Sequence, residues 1–127
     1  MSLSIVIPCK NEEEVISDTI SLISEKLILE KIEFEILVIN DFSTDHTSLK
    51  ISEISENNNN VKLLNNKRSG LGGAISIGIE SAKNKYLSIV MADLSDDIND
   101  LIKYYKLINN SNLDAIFRTR FNKNSKI

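Results

Sequence analysis

The stretch that most constrains this chain is Tyr86 to Asp97, which reads YLSIVMADLSDD. Tyr86, Leu87, Ile89, Val90 and Met91 form a nearly unbroken apolar run, and Asp93, Asp96 and Asp97 follow within a few residues. A short apolar run of this kind predicts a strand covered on both faces of a parallel sheet. Carboxylates just past such a strand stand at the carboxyl edge of the sheet, where open α/β folds bind ligands. Clustered oxygen donors suit a hard cation such as Mg²⁺ or Mn²⁺. The plainer alternative is an acidic helix start, because Asp caps helices and complements their dipole.

The remainder of the chain alternates in the same way. Leu3 to Pro8 (LSIVIP) reads as a strand stopped by the only proline. Asn11 reads as a helix N-cap, with Glu12, Glu13 and Glu14 in the first turn. Val15, Ile16, Ile20, Ile23 and Leu27 give that helix one buried face, ending near Lys31. Phe34 to Ile39 is a second strand, followed by the polar turn Asn40 to Asp45 and a helix from about His46 to Glu56. Leu49, Ile51 and Ile54 are its apolar positions, and the asparagines 57–60 read as a surface loop. Val61 to Leu64 is a third strand, and Asn65 to Gly70 a polar, basic turn. A helix over Leu71 to Lys83 follows, with Leu71, Ala74, Ile75, Gly78, Ile79 and Ala82 as its apolar face. Its glycines Gly72, Gly73 and Gly78 each cost about 1 kcal/mol of helix propensity, which points to close approach of a strand or a ligand. After the acidic turn, a helix from Asn99 to Asn109 and a strand from Asp114 to Phe117 complete the pattern. Strand and helix alternate with no hairpin signal, so the expected fold is α/β, a mostly parallel sheet with helices on both faces in a Rossmann-like arrangement.

A chain of 127 residues suffices for one domain with a modest core. The net charge of −3 gives no global electrostatic case for nucleic acid or an anionic membrane. The single cysteine, Cys9, excludes an internal disulfide, fits a reducing, cytoplasmic compartment, and reads as a small buried filler rather than a nucleophile. MSLSIVIP has no basic n-region or long apolar core, and no stretch approaches the ~18 apolar residues of a membrane span.

The topology brings three polar loops to the carboxyl edge: Cys9 to Glu13, Asn40 to Asp45, and Ala92 to Asp97. A nucleoside diphosphate there needs hydrogen-bonding groups for base and ribose, which Asn11, Glu12 and Asp41 supply, and a counter-charge for its phosphates. Neither a Walker motif nor a GxGxxG fingerprint is present. The remaining route is a divalent ion held by Asp93 and Asp96 and bridging the diphosphate.

VIPCKNEEE, ILVINDFSTDHT, KRSGLGGAISIG and VMADLSDD, in that order, resemble the N-terminal half of a family 2 glycosyltransferase of GT-A fold. The subgroup they are most similar to is that of the polyprenyl-phosphate (dolichyl-phosphate) sugar transferases, and DAIFRTRF resembles the strand and arginine-bearing turn that follow there. The resemblance implies that Pro8, Asn11 and Glu12 line base and ribose. It implies that Asp41 contacts the base, with Asn40 beside it, and that Asp93 is the final Asp of a DxD-type metal motif. Arg120 would meet an acceptor phosphate. The candidate donor-binding set is Pro8, Asn11, Glu12, Asn40, Asp41, Arg68, Gly72 and Ala92; the metal set is Asp93, Ser95 and Asp96; the catalytic set is Asp93, Asp96 and Arg120. Two departures stand out. Met91 replaces the first Asp of the motif and cannot bind a hard cation. Residues 1–127 are expected to form one nucleotide-sugar-binding domain lacking the family's usual C-terminal acceptor part.

If the chain is an enzyme, a sugar leaves a nucleoside diphosphate and passes to an acceptor. An alcohol acceptor needs a general base, for which Asp97 is the one candidate outside the metal set; a phosphate acceptor needs only a positioning cation, which Arg118 and Arg120 fit. His46 reads as a solvated first-turn residue, and Lys67 and Arg68 as a wet surface turn. The competing expectation is a non-catalytic nucleotide-binding or interaction domain, with a homodimer as one way to cover a truncated sheet edge.

Overall fold

The computed structural model describes residues 2–94 and 97–109. Ser95, Asp96, Arg118, Arg120 and the expected strand Asp114 to Phe117 lie outside the described residues. Strands β1 (Ser2–Cys9), β2 (Glu33–Asn40), β3 (Val61–Asn65) and β4 (Tyr86–Ile89) alternate with helices α1 (Ile16–Leu29), α2 (Thr47–Asn57), α3 (Leu71–Ser81) and α4 (Ile98–Asn109). The described strands form one parallel sheet in the order β3-β2-β1-β4. β1 pairs with β2 from Ser2↔Glu33 to Cys9↔Asn40, and with β4 from Leu3↔Tyr86 to Val6↔Ile89.

This order explains which helix covers which face. The chain steps outward from β1 to β3, then returns across β2 and β1 to place β4 on the far side. Parallel crossovers are right-handed, so reversing the direction of travel puts the connecting helix on the opposite face. α1 and α2 accordingly share one face, with α4, and among the described helices α3 lies alone on the other. Side chains alternate along β1 to match: Leu3, Ile5 and Ile7 face α1, while Val6 faces α3 with Leu37, Ile39 and Ala74. The larger core joins Ile16, Ile20, Ile23 and Leu27 of α1 to Ile51 of α2 and to Ile102 and Tyr105 of α4.

Gly78 marks the closest approach of helix and sheet. A methyl group there would come within 2.3 Å of Val6 Cγ1, so α3 rests on β1 only because the side chain is hydrogen. At the amino edge, the buried Glu35 carboxylate accepts from the Ser4 hydroxyl (2.7 Å) and the Lys83 amide (2.8 Å), tying the start of β4 to the sheet. The Asn84 amide donates to Ser4 Oγ, and the Asn84 side chain to the Leu3 carbonyl.

Four expectations are corrected. Asn11 is not the N-cap: α1 begins five residues later, and Glu12, Glu13 and Glu14 form the turn that leads into it. Val15 and Leu49, expected on the apolar faces of their helices, are exposed, Val15 standing just ahead of α1. Leu71 and Ile79 are also exposed; α3 meets the sheet through Ala74, Ile77 and Gly78, a narrower face than the sequence implied. Most consequentially, among the described residues β4 is not covered on both faces. Tyr86 packs toward the core, but Leu87 and Ile89, on the α3 side, are exposed at 36% and 38%, because α3 sits over β1 and β2.

Candidate nucleotide site at the carboxyl edge

The loops after β1, β2 and β4 come together at the carboxyl edge, where open α/β sheets take ligands. A cleft of ≈ 290 Å³ opens there, lined by Pro8, Cys9, Lys10, Glu12, Asp41, Leu71, Met91, Ala92 and Asp93. Of the candidate residues, the structure therefore brings together Pro8, Glu12, Asp41, Ala92 and Asp93. Asn11, Asn40, Arg68 and Gly72 do not line it.

The Asp41 side is held by a dense set of polar contacts. Asn11 adopts a left-handed conformation (φ 52°); its amide donates to Ser43 Oγ (3.0 Å) and its Oδ1 accepts from the Thr44 amide (2.8 Å). The Glu12 amide donates to Thr47 Oγ1 (3.0 Å), and the Thr47 hydroxyl and amide both donate to Asp45 Oδ1. Lys50 Nζ donates to the Glu13 carbonyl (2.6 Å). Asn40 is spent inside this loop, accepting from the Ser43 amide and donating to Asn65 Oδ1. Asp41 itself is buried. Its Oδ1 accepts from Asn66 Nδ2 (2.9 Å) and from the Gly70 amide (3.0 Å). Gly70 sits just ahead of α3 at φ 117°, a conformation that favours glycine. Asn66 Nδ2 also donates to the Gly70 carbonyl, and its Oδ1 accepts from the Arg68 amide. Gly73 must lack a side chain because the Arg68 carbonyl would lie 2.5 Å from its Cβ.

The Asp93 side is built on the end of β4. Val90 N–H donates to the Val6 carbonyl (2.9 Å), and a turn closes from Leu94 N–H to the Met91 carbonyl (3.0 Å). Leu94 has φ 52°. Across the core, the Thr19 hydroxyl donates to the Ala92 carbonyl at 2.6 Å.

Sequence reasoning missed Lys10, Thr19 and Asn66. Lys10 brings a cation to the cleft wall. Thr19 is buried on the apolar stripe of α1, and a polar residue inside such a stripe was its available signal. Asn66 is buried in a turn that its composition marked as wet, while Lys67 and Arg68 are exposed as expected.

Burial, with the nearby negative charges of Glu12 and Asp45, pushes the Cys9 thiol up to about 12, so it is an inert part of the wall, as expected of a filler. Burial would raise the Asp45 carboxyl, but the hydrogen bonds from Thr47 and from the Glu13 amide outweigh this and hold it below the usual range. His46 is solvated and touches Glu13 Oε2 at 3.2 Å. Among the described residues no three His, Cys, Asp or Glu side chains converge as a metal cluster, and no helix is long and apolar enough to cross a membrane. Of the carboxylates that line the cleft, Glu12, Asp41 and Asp93, the exposed Asp93 is the oxygen donor that would suit a hard cation. The Met91 thioether at the same wall adds nothing to such a site.

Residues 4–127 match the family model described as glycosyl transferase family 2. An uncharacterized glycosyltransferase of Synechocystis sp. is 32% identical over 94% of this chain and 38% of its own length. A dolichyl-phosphate beta-glucosyltransferase of Dictyostelium discoideum is 32% identical over 77% of this chain and 32% of its own. Among solved structures, S. aureus TarS 1-349 in complex with UDP-GlcNAc superposes with a TM-score of 0.68 at 27% identity, covering 87% of this chain and 32% of that one. The chain thus spans about a third of the length of the relatives it matches. The parallel sheet with its helices matches the GT-A fold of these neighbours, and the chain belongs to glycosyl transferase family 2.

Proposed function

We propose that the cleft holds a nucleoside diphosphate sugar and that the chain serves its transfer to a polyprenyl phosphate. The observation that carries this is the placement of Glu12, Asp41 and Asp93 around one crevice at the carboxyl edge, in a chain of this family. The UDP-GlcNAc held by the TarS neighbour supports the donor class, and the dolichyl-phosphate relative supports the acceptor class. Asp41 and Glu12 face the base and ribose from the β1 and β2 side. Lys10 and Asp93 face the diphosphate from either side of the cleft.

In the reaction the bond between the anomeric carbon and the diphosphate oxygen breaks, and its electron pair stays on the diphosphate. An acceptor phosphate oxygen forms the new bond to that carbon. Because the acceptor is already anionic, no proton has to be removed from it, consistent with a cleft whose carboxylates face the donor. Mg²⁺ or Mn²⁺, when bound, supplies Lewis-acid stabilisation of the departing diphosphate. Asp93 would hold it, with Ser95 and Asp96 as the other candidates and Arg120 as the acceptor's partner, all three outside the described residues. A cytoplasmic setting, at the inner face of a membrane, follows from this acceptor and from the lone thiol.

A second reading has its own observation. Met91, at the cleft wall in place of a carboxylate, favours a module that binds the nucleotide without turning it over. The exposed Leu87 and Ile89 on β4 support a homodimer, and a strictly monomeric species in light scattering at high concentration would remove it. The donor reading is tested by titrating UDP and GDP, with and without Mn²⁺, against the chain and against Asp93→Ala. Metal-dependent binding lost in Asp93→Ala is expected. No binding of either nucleotide would sink the donor site, and binding without sugar transfer would favour the module.

A further inference from the structure

We propose that Thr19 is a positioning residue for the acidic turn: from inside the core it fixes the peptide that aims Asp93 into the cleft. Its effect on ligand binding rests on the donor-site reading; its effect on the turn does not.

Thr19 is 3% exposed on α1, and its hydroxyl donates to the Ala92 carbonyl at 2.6 Å. Ala92 is itself 4% exposed, so the carbonyl has no access to solvent if the hydroxyl is removed. A buried carbonyl without a donor is costly, and the backbone will turn to find one. The turn running from Met91 to Leu94 is closed by the Leu94 amide on the Met91 carbonyl. Ala92 and Asp93 are its central residues, and the peptide between them is the one whose orientation separates one turn type from the other. Asp93 keeps a negative φ here, since the positive-φ residues of the described chain are Asn11, Lys31, Phe42, Leu94 and Gly70. Reversing the Ala92–Asp93 peptide would drive Asp93 to positive φ and swing its Cα–Cβ bond away from its present direction. The Thr19 hydroxyl holds that peptide in place. The same helix, one turn earlier, begins at the loop that carries Glu12, so one rigid element sets both walls of the cleft.

The test compares Thr19→Val, which keeps the shape and deletes the hydroxyl, with Thr19→Ser, which keeps the hydroxyl. Amide hydrogen exchange on the ligand-free chain reads the turn directly. In Thr19→Val the Leu94 amide is expected to exchange about tenfold faster or more, with the β1 and β2 amides unchanged and Thr19→Ser close to wild type. Unchanged Leu94 exchange in Thr19→Val, or equal acceleration at all amides, would overturn the proposal. If Thr19→Val does not fold, Thr19→Ala against Thr19→Ser gives the same contrast. Calorimetry with UDP adds a second readout that a merely structural role would not move. The Mn²⁺-dependent gain in affinity is expected to fall about tenfold in Thr19→Val, while metal-free affinity stays. A wild-type chain that binds no nucleotide removes the donor-site reading, and the exchange result then decides on Thr19 alone.

Discussion

On the Asp41 side of the cleft, three loops are sewn together by side chains that bond to one another's backbone; on the Asp93 side, a short strand pairs over four residues with β1 and its turn is held from below by one buried hydroxyl. The first wall is preorganised at the expense of its own polar atoms: Asn11, Asn40 and much of Asp41 are occupied before any ligand arrives. The second keeps its carboxylate exposed at a strand end. Under the proposed function, the difference separates two tasks of a single cleft. A base and ribose are recognised by fixed donors and acceptors, so rigidity is useful there. A cation and a diphosphate are met by charge, which a solvent-exposed carboxylate such as Asp93 brings to the cleft.

The strongest test of that contrast is Asp41→Ala. It leaves Asn66 Nδ2 and the Gly70 amide without their buried acceptor, and should cost about 2–4 kcal/mol in urea unfolding, together with nucleotide affinity. A loss below about 0.5 kcal/mol would mean the wall stands without its carboxylate. Asp93→Ala, at an exposed residue, should cost less stability than Asp41→Ala while removing the metal-dependent part of nucleotide binding. If it unfolds the chain instead, the two walls are not different in kind. Acid titration sharpens the comparison further. Because the folded Asp45 carboxyl is held below its ordinary range, its contribution is complete above that range and disappears as pH falls through the lowered folded value, below about pH 4. Melting curves of Asp45→Asn should therefore lose pH dependence in that window relative to wild type. The smallest effect is expected at the sheet edge: Leu87→Lys should move stability by no more than about 0.5 kcal/mol, since the side chain is already exposed.

The same contrast governed what could be read from the chain before its structure. Apolar runs announce strands, so β1, β2 and β3 fell within a residue or two of the expected limits, and Ala92 and Asp93 line the cleft at the carboxyl edge. Asn11 was misread because a helix cap and a left-handed loop residue draw on the same small polar side chains. An apolar run such as Tyr86 to Met91 states that a strand can be covered on both faces; it does not state what covers it, and the α3 face of β4 is open. Thr19 and Asn66 escaped notice because a polar residue is taken to be solvated unless its partner is known, and both partners lie far along the chain. The resemblance supplied the loops that form the cleft but not the hydrogen bonds that hold them.

The contact between Gly78 and Val6 reaches further than packing. Gly78 lies about 10 Å along α3 from Leu71, which lines the cleft. Any larger side chain at residue 78 lifts the helix from β1 and carries its first turn, with Leu71 and the Gly70 amide that Asp41 grips, outward as a lever. The width of the cleft is thus set from behind the sheet. A lineage adapting to a bulkier ligand there has a route through this one position that alters no residue lining the cleft.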